Sequence, residues 1–425
     1  MLRKLSPIER FTCLLGLEEP VCFAMTARFR GPIPIELLQA ALDKVRRRHP
    51  LAAVRVVDGP AGEPWYQSTV SEPAPLRVIE PDGREDWTVV VARELTRLMD
   101  PRVDPLVRFI WIQGPDHGDL VLICHHAVAD GLSTAYMMRD VHRFLGDSAA
   151  EVEPLALMPP MEDLIPAEME SAQSMNLLGE IKTIVRNGLP GRVDRNVTPQ
   201  HPRFRLLTGS LEPDLTALLT DKSRAMGTSV HGAIGAAFLL SFAGHFGEAT
   251  GYRRTLQTPI NLRHLLTPPT GEAFGFFVSQ VHTEVDCAPG RDFWEVARDL
   301  REGVVRQSAA PDLLRPIVQL KQILGLGISF GTLYRLGKGR TLGGEHDLTV
   351  SNIGRLDFPA RVGDIELTSL HGPTFSAMRN GKLVGVCSLN GTLTLTFLHE
   401  TAGLGEEIAG SILASAMRHL ETSLS

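Results

Sequence analysis

Seven consecutive residues concentrate the chemistry of this 425-residue chain: His125-His126-Ala127-Val128-Ala129-Asp130-Gly131, or HHAVADG. An imidazole, with an ordinary pKa of about 6.5, can take up and return a proton near neutral pH. Such a base can remove the proton of a hydroxyl, amine or water as it attacks an electrophilic centre, and a reaction that builds up negative charge there needs hydrogen-bond donors as well. A histidine and an aspartate at this spacing are, on their own, more often a structural contact. The full pattern is rarer and points to catalysis. A thiol precedes it: strand alternation would put Cys124 on the same side as His126. That makes a cysteine nucleophile conceivable, although its place in an apolar run favours a core role.

The elements around the heptad must hold it rigidly. Residues 119–124 (Asp-Leu-Val-Leu-Ile-Cys) read as a buried strand leading into it, and 133–145 as a helix leaving it, with Ser133 as the N-cap. Upstream, 23–29 reads as a strand, 34–49 as an amphipathic helix, 51–57 as a strand after Pro50, 87–98 as a helix and 107–112 as extended. Six prolines between 154 and 199 break the pattern, so 166–203 reads as a linker, with 177–186 its best helix candidate. From 204 onward come helices at 213–226, 229–246 and 405–420, and strands at 256–260, 278–285, 348–352, 384–389 and 392–398. Two α/β domains are expected, 1–165 and 204–425, since so long a chain exceeds one ordinary core.

Composition narrows the class. A chain with 43% hydrophobic and 22% charged residues and a net charge of −6 is that of a soluble globular protein and argues against nucleic-acid binding. The basic clusters Arg46-Arg47-Arg48 and Arg253-Arg254 read as solvated faces or a helix C-terminus, with a dock for an acidic carrier protein as the alternative. Five scattered cysteines suggest reduced thiols in a cytoplasmic setting. No stretch reaches the roughly 18 consecutive apolar residues of a membrane span. The histidines show no metal-ligand spacing, so no metal is expected.

The heptad resembles the HHxxxDG signature of the condensation-domain and chloramphenicol-acetyltransferase superfamily of acyl-transfer enzymes. Two later segments extend the resemblance: Thr258-Pro-Ile-Asn261-Leu-Arg263 is similar to the NLR segment of those families, and Thr349-Val-Ser351-Asn352-Ile-Gly-Arg355 to their SNxG strand. So do the opening Leu-Ser-Pro-Ile-Glu, the Arg-His-Pro-Leu at 48–51 and the strands within 383–397, which spreads it over nearly the whole chain. The resemblance implies two chloramphenicol-acetyltransferase-like domains with mixed sheets that exchange a segment, and an active-site tunnel between them. His126 would be the general base. Asp130 would hold the loop through a buried arginine, Arg263, helped by Asn261. His125 would support the site, and Gly131 would keep the tunnel floor free of a side chain. Ser351 and Asn352 would line the channel or stabilise the oxyanion.

Within the superfamily, the likeness is greatest to stand-alone polyketide-associated acyltransferases of the phthiocerol dimycocerosyl transferase kind. This implies transfer from a phosphopantetheine-linked thioester, on an acyl carrier protein, a polyketide synthase or coenzyme A, to a small-molecule or lipid alcohol, with no permanently bound cofactor. An amide-forming condensation enzyme and a non-catalytic carrier-binding homologue remain open as alternatives. The DFGWG motif of plant acyltransferases is absent; residues 356–359 read Leu-Asp-Phe-Pro. Residues 327–331 fit the GxSxG elbow of serine hydrolases around Ser329, with Asp347 and His371 or His399 in suitable chain order. The helical spacing before Ser329 and the lack of an oxyanion-loop motif argue against that reading.

Overall fold

The computed structural model describes residues 1–80, 86–169, 204–325, 346–375 and 381–424. The first half runs β1 (Arg3–Lys4), α1 (Pro7–Leu15), β2 (Cys22–Arg30), α2 (Ile35–Arg48), β3 (Val54–Asp58), β4 (Pro64–Ser68) and β5 (Leu76–Ile79). It continues through α3 (Trp87–Leu95), β6 (Val107–Gln113), β7 (Gly118–His125) and α4 (Gly131–Gly146). The second half opens with β8 (Phe204–Leu211), α5 (Pro213–Ala225), α6 (Val230–Thr250), β9 (Arg253–Asn261), β10 (Val278–Asp286), α7 (Phe293–Gln307) and α8 (Ala310–Gly325). It closes with β11 (Leu348–Leu356), β12 (Arg361–Val362), β13 (Ile365–Phe375), β14 (Lys382–Leu389), β15 (Thr392–Glu400) and α9 (Glu406–Leu424). The expected linker beyond residue 169, its helix at 177–186, and Ser329 lie outside the described residues.

Two six-stranded mixed sheets carry the structure, ordered β12-β13-β2-β7-β6-β5 and β10-β9-β11-β14-β15-β8. The expected mixed α/β class is therefore what the chain adopts. In the first sheet, β7 lies between β2 and β6, antiparallel to both, and every residue of it is buried. Leu120, Val121, Leu122 and Ile123 are fully inaccessible, and burying each stabilises the sheet by roughly 1.5–3 kcal/mol. A central strand with no freedom to shift is what fixes the imidazoles at its end.

The halves are interlocked. β13 belongs to the second half by sequence, yet it pairs antiparallel with β2 from Glu366 opposite Arg30 to Phe375 opposite Phe23. Residues 361–375 thus leave the second half and complete the first sheet. The sequence reading placed no strand here, because the stretch carries His371, Gly372 and Pro373 and lacks clean alternation. Its contact with β14 is close: a Cβ on Gly385 would sit 2.3 Å from the Pro373 carbonyl oxygen, so glycine is required.

α6 is long and apolar enough to cross a membrane, but 67% of its apolar window is buried in the second core, against Leu256, Leu300 and Phe397 among others. It is the central helix of that half. α7 packs on it, and was not foreseen in the sequence because its charged outer face, Glu295, Arg298, Arg301 and Glu302, dilutes the apolar stripe of Trp294, Val296, Ala297 and Leu300.

Candidate active site

β7 ends at His125, and the chain turns through 126–130 into α4. The His126 amide donates to the Val21 carbonyl at 2.9 Å, pinning the loop to the residue before β2. The His126 Nδ1–H donates to the Ala129 carbonyl at 2.9 Å. A carbonyl can only accept, so the proton sits on Nδ1 and Nε2 keeps its lone pair, the form a general base requires. Phe23, Phe276 and Phe375 surround the ring, at centroid distances of 5.0, 4.9 and 4.6 Å. Burial lowers the His126 pKa below the ordinary imidazole value; the Ala129 carbonyl and the charge of Asp130 oppose that shift only in part. The ring remains half-buried and borders a cleft with Thr12, Leu51, Met158, Glu162 and Phe276.

His125 differs in every respect. It is wholly buried, its Nδ1 accepts the Ala127 amide at 3.1 Å, and its Nε2 has no partner among the described residues. Burial lowers its pKa to about 3, with the neighbouring His126 and Arg108 adding to the effect. It is a neutral packing residue. A Cβ on Gly16 would come within 2.5 Å of its Nε2. Cys124 is likewise fully buried, and burial drives its thiol far above the usual range, so it is core rather than nucleophile.

Asp130 turns away from the imidazole. Its carboxylate is bidentate with Arg263, at 2.8 Å from Nη1 to Oδ2 and 2.9 Å from Nη2 to Oδ1. The Phe277 amide donates to Oδ2 at 3.0 Å and the Ser133 amide to Oδ1 at 2.9 Å. Asp130 is therefore the N-cap of α4, the place the sequence reading gave to Ser133. The apolar spacing marks where a helix begins only to within a turn, and the true cap shows in its backbone (φ −124°, ψ 179°). Burial alone would raise the Asp130 pKa; the Arg263 charge and these donors outweigh it and hold the carboxyl below the usual range. Asn261 accepts from the Arg263 amide at 3.1 Å and from its Nη1 at 3.3 Å, steadying the guanidinium. Ser133 Oγ accepts from Arg263 Nη2 at 2.9 Å and donates to the Gly275 carbonyl at 2.9 Å. The pair and its partners thus bind α4 to the end of β9 and to the loop carrying Phe276.

Gly131 begins α4 where the halves meet. A Cβ there would lie 2.8 Å from Pro373 of β13 and 3.3 Å from Ile353 of β11. Ser351, two residues before Ile353, is half-buried. Asn352 points to the other side of β11: its Oδ1 accepts from the Gly354 amide at 2.8 Å, and it borders a separate groove with Thr216 and Ser388. Among the described residues no hydrogen bond joins Ser351 or Asn352 to His126.

A second ionic network was not read in the sequence. Asp140 on α4 accepts from Arg48 Nε at 2.7 Å and His49 Nε2 at 2.9 Å, and from Arg139 at 3.0 Å. Burial raises the Asp140 pKa, but the His49 hydrogen bond and the arginines overcome this and bring it to about 2. Arg139 continues to Glu272, at 2.6 and 2.7 Å, three residues before Gly275. The end of α2, α4 and the 272–277 loop are thereby tied together. The arginine cluster forms the last turn of α2, as expected, but only Arg47 is an exposed charge: Arg46 is buried, donating to Thr69 and to the Glu72 carbonyl, and Arg48 holds Asp140. Of the GxSxG elbow's supposed partners, Asp347 accepts from the Thr255 amide, His399 contacts the Leu404 carbonyl and His371 lies against Trp87.

The site is thus a half-buried imidazole with an unprotonated Nε2, on a loop locked by a buried ion pair at the junction of two sheets. Residues 200–393 match the family model described as the phthiocerol/phthiodiolone dimycocerosyl transferase C-terminus. The chain is 25% identical over 310 residues to the phthiocerol/phthiodiolone dimycocerosyl transferase of Mycobacterium ulcerans, covering 67% of this chain and 70% of that one. It is 26% identical over 307 residues to phosphinothricin tripeptide synthetase PhsC of Streptomyces viridochromogenes, covering 67% of this chain but only 27% of that much longer protein. Among solved structures it is similar to polyketide synthase associated protein 5 from Mycobacterium tuberculosis, with a TM-score of 0.67, 19% identity, and 100% and 98% of the two chains covered. It is also similar to a trichothecene 15-O-acetyltransferase from Fusarium sporotrichioides, with a TM-score of 0.71, 12% identity, and 99% and 95% covered.

Proposed function

From a chain whose later half matches a dimycocerosyl transferase family model, and whose whole length has the fold of condensation and acyltransferase domains, we propose an acyltransferase. Its donor is an acyl thioester on a phosphopantetheine arm, supplied by a carrier protein, a polyketide synthase or coenzyme A. Its acceptor is an alcohol, and its product an ester of cytoplasmic secondary metabolism. The observation that carries this reading is the hydrogen bond from His126 Nδ1–H to Ala129, which leaves Nε2 unprotonated in an apolar, aromatic surround.

In the mechanism, Nε2 of His126 takes the acceptor's hydroxyl proton as its oxygen attacks the thioester carbonyl. The tetrahedral oxyanion collapses, the carbon–sulfur bond breaks, and the imidazolium returns the proton to the departing thiolate. No acyl-enzyme forms, and no cofactor remains bound. Asp130 stays ionised against Arg263 throughout and keeps the loop in place. Amide formation is the second reading, favoured by the likeness to a tripeptide synthetase; the same base would serve an amine.

The experiment is intact-mass detection of acyl loss from acyl-carrier and acyl-coenzyme A thioesters, with an alcohol, an amine or no acceptor, in wild type and His126→Ala. Ester formed only with wild type and alcohol supports the proposal. Product with amine alone moves it to amide formation, and acyl loss without acceptor to hydrolysis.

A further inference from the structure

One polar group in the core of the second half serves no purpose in that mechanism. Thr349 on β11 and Gln257 on β9 are register partners on adjacent parallel strands, and Thr349 Oγ1 donates to Gln257 Oε1 at 2.7 Å. The Gln257 amide then donates to Gln280 Oε1 at 2.7 Å and lies 3.3 Å from Nε2 of His282, both on β10. His346 Nε2 lies 3.0 Å from Thr349 Oγ1, and the two imidazoles stand 5.8 Å apart. Since the Thr349 proton goes to Gln257, His346 is the donor in that contact. Since the Gln257 amide donates, His282 Nε2 is the acceptor, and the His282 proton is on Nδ1. Among the described residues that Nδ1–H has no partner, and neither has the amide of exposed Gln280. His282 and Gln280 thus present neutral donors that no described residue takes up.

Its position gives it a use. Alternation puts Gln257, Thr349 and Ser351 on one face of the sheet, opposite the face where Thr258 meets His231 of α6 and Val350 enters the core. Ser351 is paired with Gly385, the glycine that lies against Pro373, and Pro373 also lies against Gly131. Both strands run from this group toward the loop that holds His126. Gln257 is four residues before Asn261, which steadies Arg263, and Thr349 four before Ile353, which lies against Gly131, so each is about 13 Å along its strand from those residues at 3.3 Å per residue.

We propose that Gln280 and His282, oriented by Gln257 and Thr349, form a polar shelf that binds the amide or hydroxyl groups of a substrate reaching toward His126. The proposal rests on His126 being the place of transfer and adds the chemistry of what arrives there. Two substrates carry such groups: the pantetheine arm of the donor, and an acceptor with more than one hydroxyl.

Calorimetric titration of the His126→Ala protein separates them without turnover. Octanoyl-pantetheine is compared with octanoyl ethyl thioester, which lacks the amides, and 1,2-octanediol with 1-octanol. Gln257→Leu and Thr349→Val should each weaken the polar member of one pair roughly three- to tenfold and leave its apolar counterpart unchanged. The affected pair identifies the source. Gln280→Leu, at an exposed position, gives the same readout should either buried variant fail to fold. The shelf is overturned if folded variants bind every compound as the parent does, or if the parent prefers neither polar compound. Absence of wild-type turnover, with the shelf's preference intact, would instead count against the acyltransferase reading alone.

Discussion

Replacing Asp130 with alanine tests the structural core of the site. Asp130 is 1% exposed and Arg263 5%. The substitution leaves a buried guanidinium whose remaining partners among the described residues are Ser133 Oγ, Asn261 Oδ1, the Ala273 carbonyl and the face of Phe277, none of them charged. It also strands the Phe277 amide and removes the N-cap of α4. Breaking a buried pair from one side costs about 3–5 kcal/mol, and loss of a cap about 1 kcal/mol. With roughly 2–4 °C lost per kcal/mol in a cooperative unit of this size, the melting temperature should fall by about 8–24 °C. The assay is thermal and denaturant unfolding, with the variant's residual turnover measured well below its own transition. The double variant Asp130→Ala, Arg263→Met should recover part of the loss, since no charge is then stranded. A single variant melting within about 2 °C of wild type, or a double variant no better than the single, would refute the argument. The pair also predicts acid behaviour. Because the folded-state pKa of Asp130 is depressed, its stabilisation is present above the unfolded value of about 3.9 and is lost as pH falls through the lower folded value. Asp130→Asn should remove that component of acid unfolding.

His126→Ala should lower turnover by about 10²–10⁴-fold while the melting curve stays close to wild type, because the ring is half-buried and caps no element; a variant that unfolds would show a structural role instead. Since burial lowers the His126 pKa, kcat/KM should rise with pH through a midpoint below about 6.5, the neutral ring being the active base. A midpoint above the ordinary value would mean that another group titrates. Gly131→Ala should place its Cβ against Pro373 and push α4 from β13, with a loss of about 1–3 kcal/mol by denaturant unfolding and a parallel loss of activity. Asp140→Ala should strand Arg48 and His49 and loosen the 272–277 loop; proteolysis of that loop faster than in wild type is the measurement, and unchanged cleavage would count against the proposed tie.

The sequence by itself determined the candidate heptad and the ion pair that supports it. The heptad at 125–131 and the apolar strand before it were legible because their order along the chain is local, and a buried strand leaves a continuous apolar signature. The likeness of residues 258–263 to a family segment paired Arg263 with Asp130 across more than a hundred residues, and the bidentate contact follows it. Strand and helix positions were mostly legible for the same local reason, with boundaries shifted by up to four residues, as where α6 runs on to Thr250 and β11 to Leu356.

Only the tertiary structure decided the rest. Asp130 rather than Ser133 caps α4, since the cap depends on backbone angles that several polar residues could satisfy. Residues 361–375 complete the first sheet, because what recruits them is the open edge of β2, which no pattern within the segment records. The tautomer of His126 follows from a carbonyl three residues on, aimed by the fold of the loop. The three phenylalanines that surround its ring come from β2, β13 and the 272–277 loop. Such residues are apolar and individually ordinary, so composition hides them. Their effect on a base arises only when distant segments pack around one imidazole and burial makes its charged form costly.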